Sequence, residues 1–509
     1  MFIEEQQSSP VLASPSNAPQ THEALSLTSL TQHLQEVAEL PPLSTSSQTQ
    51  HPVLRDLLQQ LEPIDFREAV ALESDRESLK QKHYLVTIVR TVREAATAHG
   101  YGLCQRNQTI YVYNRAYWNR LEPDELRLFL REAAERLGVN TCDARYHLFT
   151  KNLLDQFLSD GYQAPPTPVA DTVKVNLQNG TLVVTPQGQH LQPFDPADFL
   201  TYQLPYAYNP DATAPRFERF MARVLPAPSC RQVLAEFLGY LFVHHRTLKL
   251  EKALLLYGSG ANGKSVFYEI VQALLGSENM CSFSLESLTC GQAYARAKLG
   301  DKLVNYVSEF GGKHDPNIFK QMVSGEALEA RLPYGQPFMM ESYAKIIANT
   351  NELPTEVEHT NAYFRRFLIV PFSVTIPEQE RDPQLAAGII AEELPGILNW
   401  MLVGLQRLLA QRKFSPCEPA QQLLEDFQRQ SDSVRLFLEE EGYQADPDRA
   451  IRLQDFYADY RGYCSESGYQ PVNRKNFRKR LERVPIAYQR KSTGWFVCAG
   501  RAAGNWAKK

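Results

Sequence analysis

The chain has 509 residues, of which 43% are hydrophobic and 22% charged, and its net charge is −5. Its length predicts several domains, roughly three, and no apolar run reaches the roughly 18 residues that a membrane span needs, so we expect no membrane contact. The first basic residue is Arg55, so we expect neither a secretory nor a transit leader at this start. Eight scattered cysteines without C-x-x-C spacing predict reduced, mostly buried thiols in a cytoplasmic protein.

The N-terminal half begins with a segment of unusual composition. Residues 1–50 are rich in Ser, Thr, Gln and Pro, which predicts disorder because little apolar surface can be buried. Residues 51–225 are predicted to form a mainly helical accessory domain, with one helix over 123–137. A hairpin-like passage ends in 109–113, and a second hairpin turns at Asn179-Gly180, a favoured type I′ turn.

The most informative motif is the octapeptide G-S-G-A-N-G-K-S. It satisfies G-x-x-x-x-G-K-[ST], follows the apolar run 253–257 and precedes a helical stripe that ends at Gly276. This strand–loop–helix pattern predicts a loop whose backbone amides surround the phosphates of ATP, with Mg²⁺ on the terminal hydroxyl. The residues predicted to bind nucleotide are Gly258, Ser259, Gly260, Ala261, Asn262, Gly263, Lys264 and Ser265.

Further apolar runs follow the loop at residues 303–307, 344–348 and 367–370. Separated by helical stretches, they predict an α/β fold with a parallel sheet that carries the nucleotide at its carboxyl edge. A helical region over 382–411 closes this ATPase domain, predicted as residues 226–412, and 415–419 is predicted as a linker.

Polar residues beside these strands are candidates for catalysis. Glu309 follows the run 303–307 and is a candidate for the base and a Mg²⁺ ligand, although a solvated loop glutamate is the favoured explanation when this residue is taken alone. Asn351 follows the run 344–348 and is a candidate for sensing phosphate, with a turn asparagine as the alternative. Arg365 or Arg366 is a candidate for an arginine finger, although adjacent arginines usually form surface salt bridges.

The order of these motifs resembles that of superfamily 3 helicases, above all the phage/plasmid primase–helicase family, which is related to the poxvirus replicative primase–helicase. The resemblance covers about residues 75 to 500. It is carried by 258–265, 307–309, 320–331, 344–354 and 364–372, and extends through 175–182, 204–212 and 393–400.

The resemblance implies an AAA+-like P-loop ATPase that forms rings, often hexamers, with ATP bound between subunits. Lys264 and Ser265 would then bind phosphate and Mg²⁺, Glu309 would activate water, and Asn351 would act as sensor. The finger, Arg365 or Arg366, would reach the ATP of a neighbour. A hairpin within residues 320–340 would contact single-stranded DNA. Its candidate contacts, which ordinary surface or packing roles explain as well, are Lys320, Arg331 and Tyr334.

This sequence departs from the family pattern in two ways. Many members have paired acids at the second motif, whereas Ser308 occupies the first position here and only Glu309 is acidic. The region before residue 170 also has no Asp-x-Asp-type pair for primase chemistry. We therefore expect a separate primase or polymerase to supply primers.

The C-terminal segment is basic. Residues 449–509 contain 14 Lys/Arg and four acids, a local net charge of +10. The family resemblance implies a winged-helix domain at 420–500. Together with this resemblance the charge favours duplex DNA binding, and a solvated charged face is the alternative. Phe477 and Leu481 would face inward. The candidate DNA contacts are Arg474, Lys475, Arg478 and Lys479 on a helix, and Arg490 and Lys491 in the wing.

Three functions remain open. An ATP-dependent DNA helicase in replication of a phage, plasmid or integrated mobile element fits the whole pattern. A replication initiator would use ATP for assembly and DNA binding without unwinding. A small-molecule kinase would use the same loop as a monomer and would need a lid and an acceptor site.

Overall fold

A computed structural model describes residues 49–71, 77–164, 166–332, 335–354, 360–482, 484, 486–492 and 494–501. The predicted disordered segment, residues 1–50, lies outside the described residues except at its last two positions.

The first folded unit is a helical cluster against a small antiparallel sheet. Its buried side chains include Ile88, Phe129, Leu153 and Phe157. The predicted helix at 123–137 ends one residue earlier, and a third strand that was not predicted completes the sheet. The elements are α1 Pro52–Gln60, α2 Phe66–Ala69, α3 Gln81–Ala98, β1 Gly102–Arg106, β2 Thr109–Tyr113, β3 Trp118–Leu121, α4 Pro123–Arg136, α5 Thr141–Arg145 and α6 His147–Asp160.

The second hairpin belongs to a different core. Leu177 and Leu182 lie in one buried cluster with Phe217 and with Leu254, which precedes the glycine-rich loop. The predicted domain boundary at residue 225 therefore falls inside a continuous core. The elements here are β4 Val173–Leu177, β5 Gly180–Thr185, β6 Gly188–Gln192, α7 Pro215–Val224 and α8 Pro228–Tyr240, and β4–β5–β6 form an antiparallel sheet.

A five-stranded parallel sheet forms the centre of the region around the glycine-rich loop, as predicted. Its spatial order is β13–β7–β12–β9–β8, and all four pairings are parallel. Near-continuous apolar strands are typical of a sheet covered on both faces. The strands are β7 Ala253–Tyr257, β8 Met280–Cys281, β9 Val304–Val307, β12 Lys345–Thr350 and β13 Phe367–Pro371.

Short helices and one hairpin connect these strands. Strands β10 Leu328–Ala330 and β11 Phe338–Met340 pair antiparallel and form the hairpin predicted within residues 320–340. The helices are α9 Lys264–Leu275, α10 Leu285–Thr289, α11 Tyr294–Ala297, α12 Pro316–Val323 and α13 Asn361–Phe364.

The long helix α14, Leu385–Gln411, packs closely along α8. A Cβ atom at Gly404 would lie 2.5 Å from the backbone of Ala235, and one at Gly239 would lie 2.7 Å from Leu405, so both glycines permit close helix contact. Among the described helices, α14 alone is long and apolar enough to cross a membrane by length and composition. One face is buried in the protein core, including Met401.

The prediction of a linker at 415–419 is wrong, because this segment packs against helix α8. Ser415 donates from its backbone nitrogen (2.8 Å) and its hydroxyl (2.6 Å) to the buried carboxylate of Glu236. Cys417 lies 3.4 Å from Cys230, Sγ to Sγ. Helix α15, Glu418–Gln430, then buries Phe427 against Phe367 beside β13. The body built around the parallel sheet therefore extends through α15.

The C-terminal unit has its own core, with Phe437, Phe456, Tyr460 and Phe477 fully buried. Three helices pack against a β15–β17–β16 sheet, and β14 pairs with β18. The elements are α16 Ser433–Glu440, β14 Tyr443–Ala445, β15 Ile451–Arg452, α17 Leu453–Glu466, α18 Arg474–Leu481, β16 Tyr488–Lys491, β17 Gly494–Val497 and β18 Ala499–Arg501.

Candidate functional site

The glycine-rich loop lies between β7 and α9, at the carboxyl edge of the parallel sheet. Strand β7 is flanked by β12 and β13, so the ends of three strands converge there. The backbone nitrogen of Gly258 donates to Thr350 (3.1 Å), and that of Phe372 donates to Tyr257 (2.7 Å). These bonds fix the start of the loop to both neighbouring strands.

At two positions of the loop there is no room for a side chain, so glycine is required. A Cβ atom at Gly258 would lie 2.4 Å from the carbonyl oxygen of Phe372 and 2.1 Å from Nδ2 of Asn262. Gly263 has a φ of 84°, and its Cβ would lie 2.8 Å from Val224 on α7. Helix α7 thus supports the loop, a role that its sequence pattern did not predict.

Lys264 begins α9 and is buried. Its ammonium donates to the carbonyl oxygen of Gly258, to Oδ1 of Asn262 (3.2 Å) and to Oδ1 of Asn351 (3.2 Å). Burial lowers the pKa of Lys264, so an added anion would be favoured beside this partly desolvated cation. The structure therefore brings together the predicted lysine and the predicted sensor asparagine.

A second polar group in the loop is buried without a partner. Asn262 is only 3% exposed, and within the described residues its Nδ2 has no hydrogen-bond partner. An unpaired buried donor is costly and is satisfied by a ligand acceptor. Together with the steric requirements of the glycines, this donor fits a phosphate group at the loop.

Ser265 and Glu309 are both exposed near this edge. Glu309 follows β9, which is separated from β7 by β12 alone, so the two strands lie about 10 Å apart. No cluster of three or more metal-binding side chains occurs in the part of the chain that the structure describes. One hydroxyl and one carboxylate suit Mg²⁺, which takes its remaining ligands from phosphate and water.

Strand β12 continues two residues beyond the predicted end, so Asn349 and Thr350 are paired within the sheet. The Asn349 side chain accepts from the hydroxyl of Tyr306 (3.0 Å), and its carbonyl accepts from the backbone of Phe310 (2.5 Å). These bonds hold the segment carrying Glu309 against β12. Asn351 is the first residue past the strand and is exposed.

The two candidate arginines have different environments. Arg366 is 7% exposed and donates to Ser324 Oγ (2.8 Å) and to the carbonyls of Lys320 (3.2 Å) and Ala362. The side chain of Arg365 is 58% exposed and lies 3.4 Å from Glu251. Both precede β13, at the edge of the sheet opposite the loop.

The hairpin β10–β11 carries one of the predicted DNA contacts, and another lies on α12. Arg331 is exposed, and its Nε donates to the carbonyl of Gly335 (2.9 Å). Lys320 is half-buried on α12. Tyr334 lies outside the described residues.

The basic helix α18 is capped by Asn473, which accepts from the backbone of Asn476 (2.9 Å), and its inward residues Phe477 and Leu481 are buried as predicted. Strands β16 and β17 form the predicted hairpin beside it. The guanidinium carbons of Arg478 and Arg490 lie 5.6 and 5.9 Å from the ring centroid of Trp495. All the candidate contacts except half-buried Arg478 are exposed: Arg474, Lys475, Lys479, Arg490 and Lys491.

Two family models match the chain. Residues 95–226 match the D5 N-terminal-like family, and residues 256–366 match a family of unknown function, DUF5906. The second match spans the loop, the sheet edge and the two arginines.

One relative is the protein named "Putative helicase L207/L206" of Acanthamoeba polyphaga mimivirus, 26% identical over 169 residues. The match covers 32% of this chain and 17% of that protein. The chain therefore spans less than a fifth of that relative's length. These partial matches are to a D5 N-terminal-like family and to a protein named as a putative helicase, and they support a relationship to phage-type primase–helicases.

Solved structures of the NrS-1 C-terminal region are also similar. An apo structure is 13% identical, with a TM-score of 0.44 over 77% of this chain and 84% of that chain. An A-form apo structure is 10% identical, with a TM-score of 0.46 over 81% of this chain and 98% of that chain.

Proposed function

We propose that this chain is an ATP-dependent DNA helicase that acts in replication of a phage, plasmid or integrated mobile element. The observation that carries the proposal is the placement of Lys264 and Arg365 at opposite edges of the parallel sheet. Strand β13 has five residues and separates them by about 17 Å. One subunit cannot bring both cations to one phosphate, and in our proposal a neighbour in a ring completes the site.

In this proposal the loop and its neighbours bind ATP and Mg²⁺. The backbone amides of residues 258–265 and the ammonium of Lys264 hold the phosphates, and Ser265 and Glu309 hold the ion. Mg²⁺ would neutralise charge on the phosphate oxygens. Glu309 accepts a proton from the attacking water, and Asn351 orients that water beside Lys264.

Arg365 of the adjacent subunit is the proposed finger, because its guanidinium is exposed and, among the described residues, is paired only with Glu251. Arg366 is buried within its own subunit, so we assign it to transmitting movement inside that subunit and not to contacting the ATP of a neighbour. It joins the start of β13 to α12 through Ser324 and Lys320, and α12 leads directly into the hairpin β10–β11. ATP contact at Arg365 would thus be coupled to the strand-gripping hairpin.

Strand displacement on a forked DNA substrate tests the proposal against its alternatives. We expect ATP-dependent release of the displaced strand by the wild-type chain. ATP-dependent DNA binding without release would favour the initiator. Phosphate transfer to a small acceptor by a DNA-independent monomer would favour the kinase.

Glu309→Gln is expected to reduce ATP turnover at least about a hundredfold while ATP binding persists, because the amide cannot accept the proton of water. Turnover and nucleotide affinity should be measured on the same preparation. Glu352→Gln is the control, since Glu352 is exposed just beyond Asn351 and has no assigned role. Unchanged turnover in Glu309→Gln would assign the base to another residue.

Removal of the C-terminal unit is expected to weaken duplex DNA binding more than basal ATPase activity. The chain should end at Ser431, because a cut at 415 would also remove the buried Phe427 of α15. Binding of the full chain should fall steeply with salt, and the shortened chain should show a smaller salt slope. Equal losses of binding and ATPase would instead indicate a folding role for this unit.

A further inference from the structure

A cavity of about 470 Å³ lies away from the glycine-rich loop. Its walls come from strands β2 and β3 of the first sheet, the segment after α8, hairpin strand β11, and Lys345 at the start of β12. Strand β12 has six residues, which separates Lys345 from the loop edge by about 20 Å. The volume is within the usual range for small-molecule sites.

The walls are strongly basic although the whole chain is acidic. Seven Lys or Arg line the cavity, against three acidic residues. Two of the acids are already paired: Asp198 with Lys174, and Glu341 with Arg246 at 2.6 Å. The third is Asp301, whose carboxylate accepts from the hydroxyl of Tyr111 (3.0 Å). An excess of positive charge therefore remains.

Two arginines account for much of this excess. Within the described residues, the guanidinium of neither Arg106 nor Arg120 makes a hydrogen bond or an ion pair within 4 Å. Both arginines interact electrostatically with the carboxylate of Asp301 at longer range. Arg106 lies over the ring of Phe199 (4.3 Å to the centroid), and burial lowers its pKa. Arg120 is exposed.

Lys345 and a histidine are further donors in the wall of the cavity. The ammonium of Lys345 donates to the carbonyl of Val243 (2.7 Å) and has no acidic partner in the described chain; burial lowers its pKa to about 7. Burial also lowers the pKa of His244 to about 4, so its ring is neutral. Because His244 Nδ1 accepts from the backbone of Arg246 (3.2 Å), its proton lies on Nε2.

We propose that this cavity is a second binding site, which takes the phosphate of a nucleotide through Arg106, Arg120 and Lys345. Phosphate matches the planar, multi-donor guanidinium groups, and a dianion would offset the excess charge of the walls. The ligand is either a free nucleotide or a nucleotide unit of a single strand. Met339 of the hairpin forms part of the wall, so a bound strand would pass beside β11.

The site is tested with full-length protein carrying Lys264→Ala, which removes the main cation of the glycine-rich loop. Inorganic pyrophosphate is titrated by calorimetry, and a short thymidine oligonucleotide is titrated by fluorescence anisotropy. Arg120→Gln is added first, because its side chain is exposed and holds no neighbour in place. The double change Arg106→Gln, Arg120→Gln follows, with Arg127→Gln as control, since Arg127 pairs only with exposed Asp124.

We expect Arg120→Gln to weaken binding about tenfold and the double change to weaken it further, because charge-assisted hydrogen bonds are lost. Arg127→Gln should have no effect. Loss of pyrophosphate affinity would identify a free nucleotide as the ligand. Loss confined to the oligonucleotide would identify a strand. If neither affinity falls in the double variant, or if Arg127→Gln lowers them equally, the proposal is overturned.

Discussion

Lys264→Ala is expected to reduce ATP hydrolysis by at least about a hundredfold, the scale of removing one preorganised charge from a transition-state site. The reason is geometric. Lys264 is held at the loop by Gly258, Asn262 and Asn351, so no other described cation occupies that position. Steady-state release of phosphate, with and without single-stranded DNA, measures the effect.

The control for this variant is Lys298→Ala, which removes an exposed lysine at the end of α11. Thermal unfolding should show both variants folded, because Lys264 has no acidic partner in the described chain whose charge would be left unpaired. Retained hydrolysis in Lys264→Ala would place the nucleotide elsewhere in the protein.

Substitutions of the two adjacent arginines are expected to have different effects, one on ATP hydrolysis and the other on the stability of the fold. Arg365→Ala should reduce ATP hydrolysis by about a thousandfold, as removal of a finger does, and leave the thermal midpoint unchanged. Arg366→Ala should destabilise the fold by about 3 kcal/mol, because Ser324 and two carbonyl groups lose a buried charged donor. Paired thermal melts and ATPase assays distinguish them.

Mixing Arg365→Ala protein with Lys264→Ala protein tests action between subunits. In a closed ring formed from equal amounts, roughly a quarter of the interfaces combine an intact loop with an intact Arg365. Activity should therefore return well above that of either variant alone. A mixture as inactive as its components would argue that Arg365 does not act in trans.

The glycine-rich loop was predictable because its signals are local. The strand, the loop and the helix ending before Gly276 all follow from contiguous residues, and the structure has them at 253–257 and 264–275. The parallel sheet followed from the repeated apolar runs. The end of β12 was misjudged because polar Asn349 and Thr350 are paired by neighbours that the local sequence does not identify.

Features that depend on distant contacts could not be read from the sequence. Arg365 and Arg366 are chemically identical neighbours, and only the packing of α12 buries the second. The segment around Ser415 had the composition of a linker, yet the buried carboxylate of Glu236 fixes it to α8. The cavity at Arg106 and Lys345 likewise joins residues more than two hundred positions apart in the chain.

The most direct test of the central claim is DNA-stimulated ATPase activity measured together with particle size in the presence of an ATP analogue. We predict an assembly of several subunits with the analogue, and hydrolysis that rises when single-stranded DNA is added. A monomer that hydrolyses ATP at its full rate, whether or not DNA is present, would contradict the proposal that neighbouring subunits complete the site.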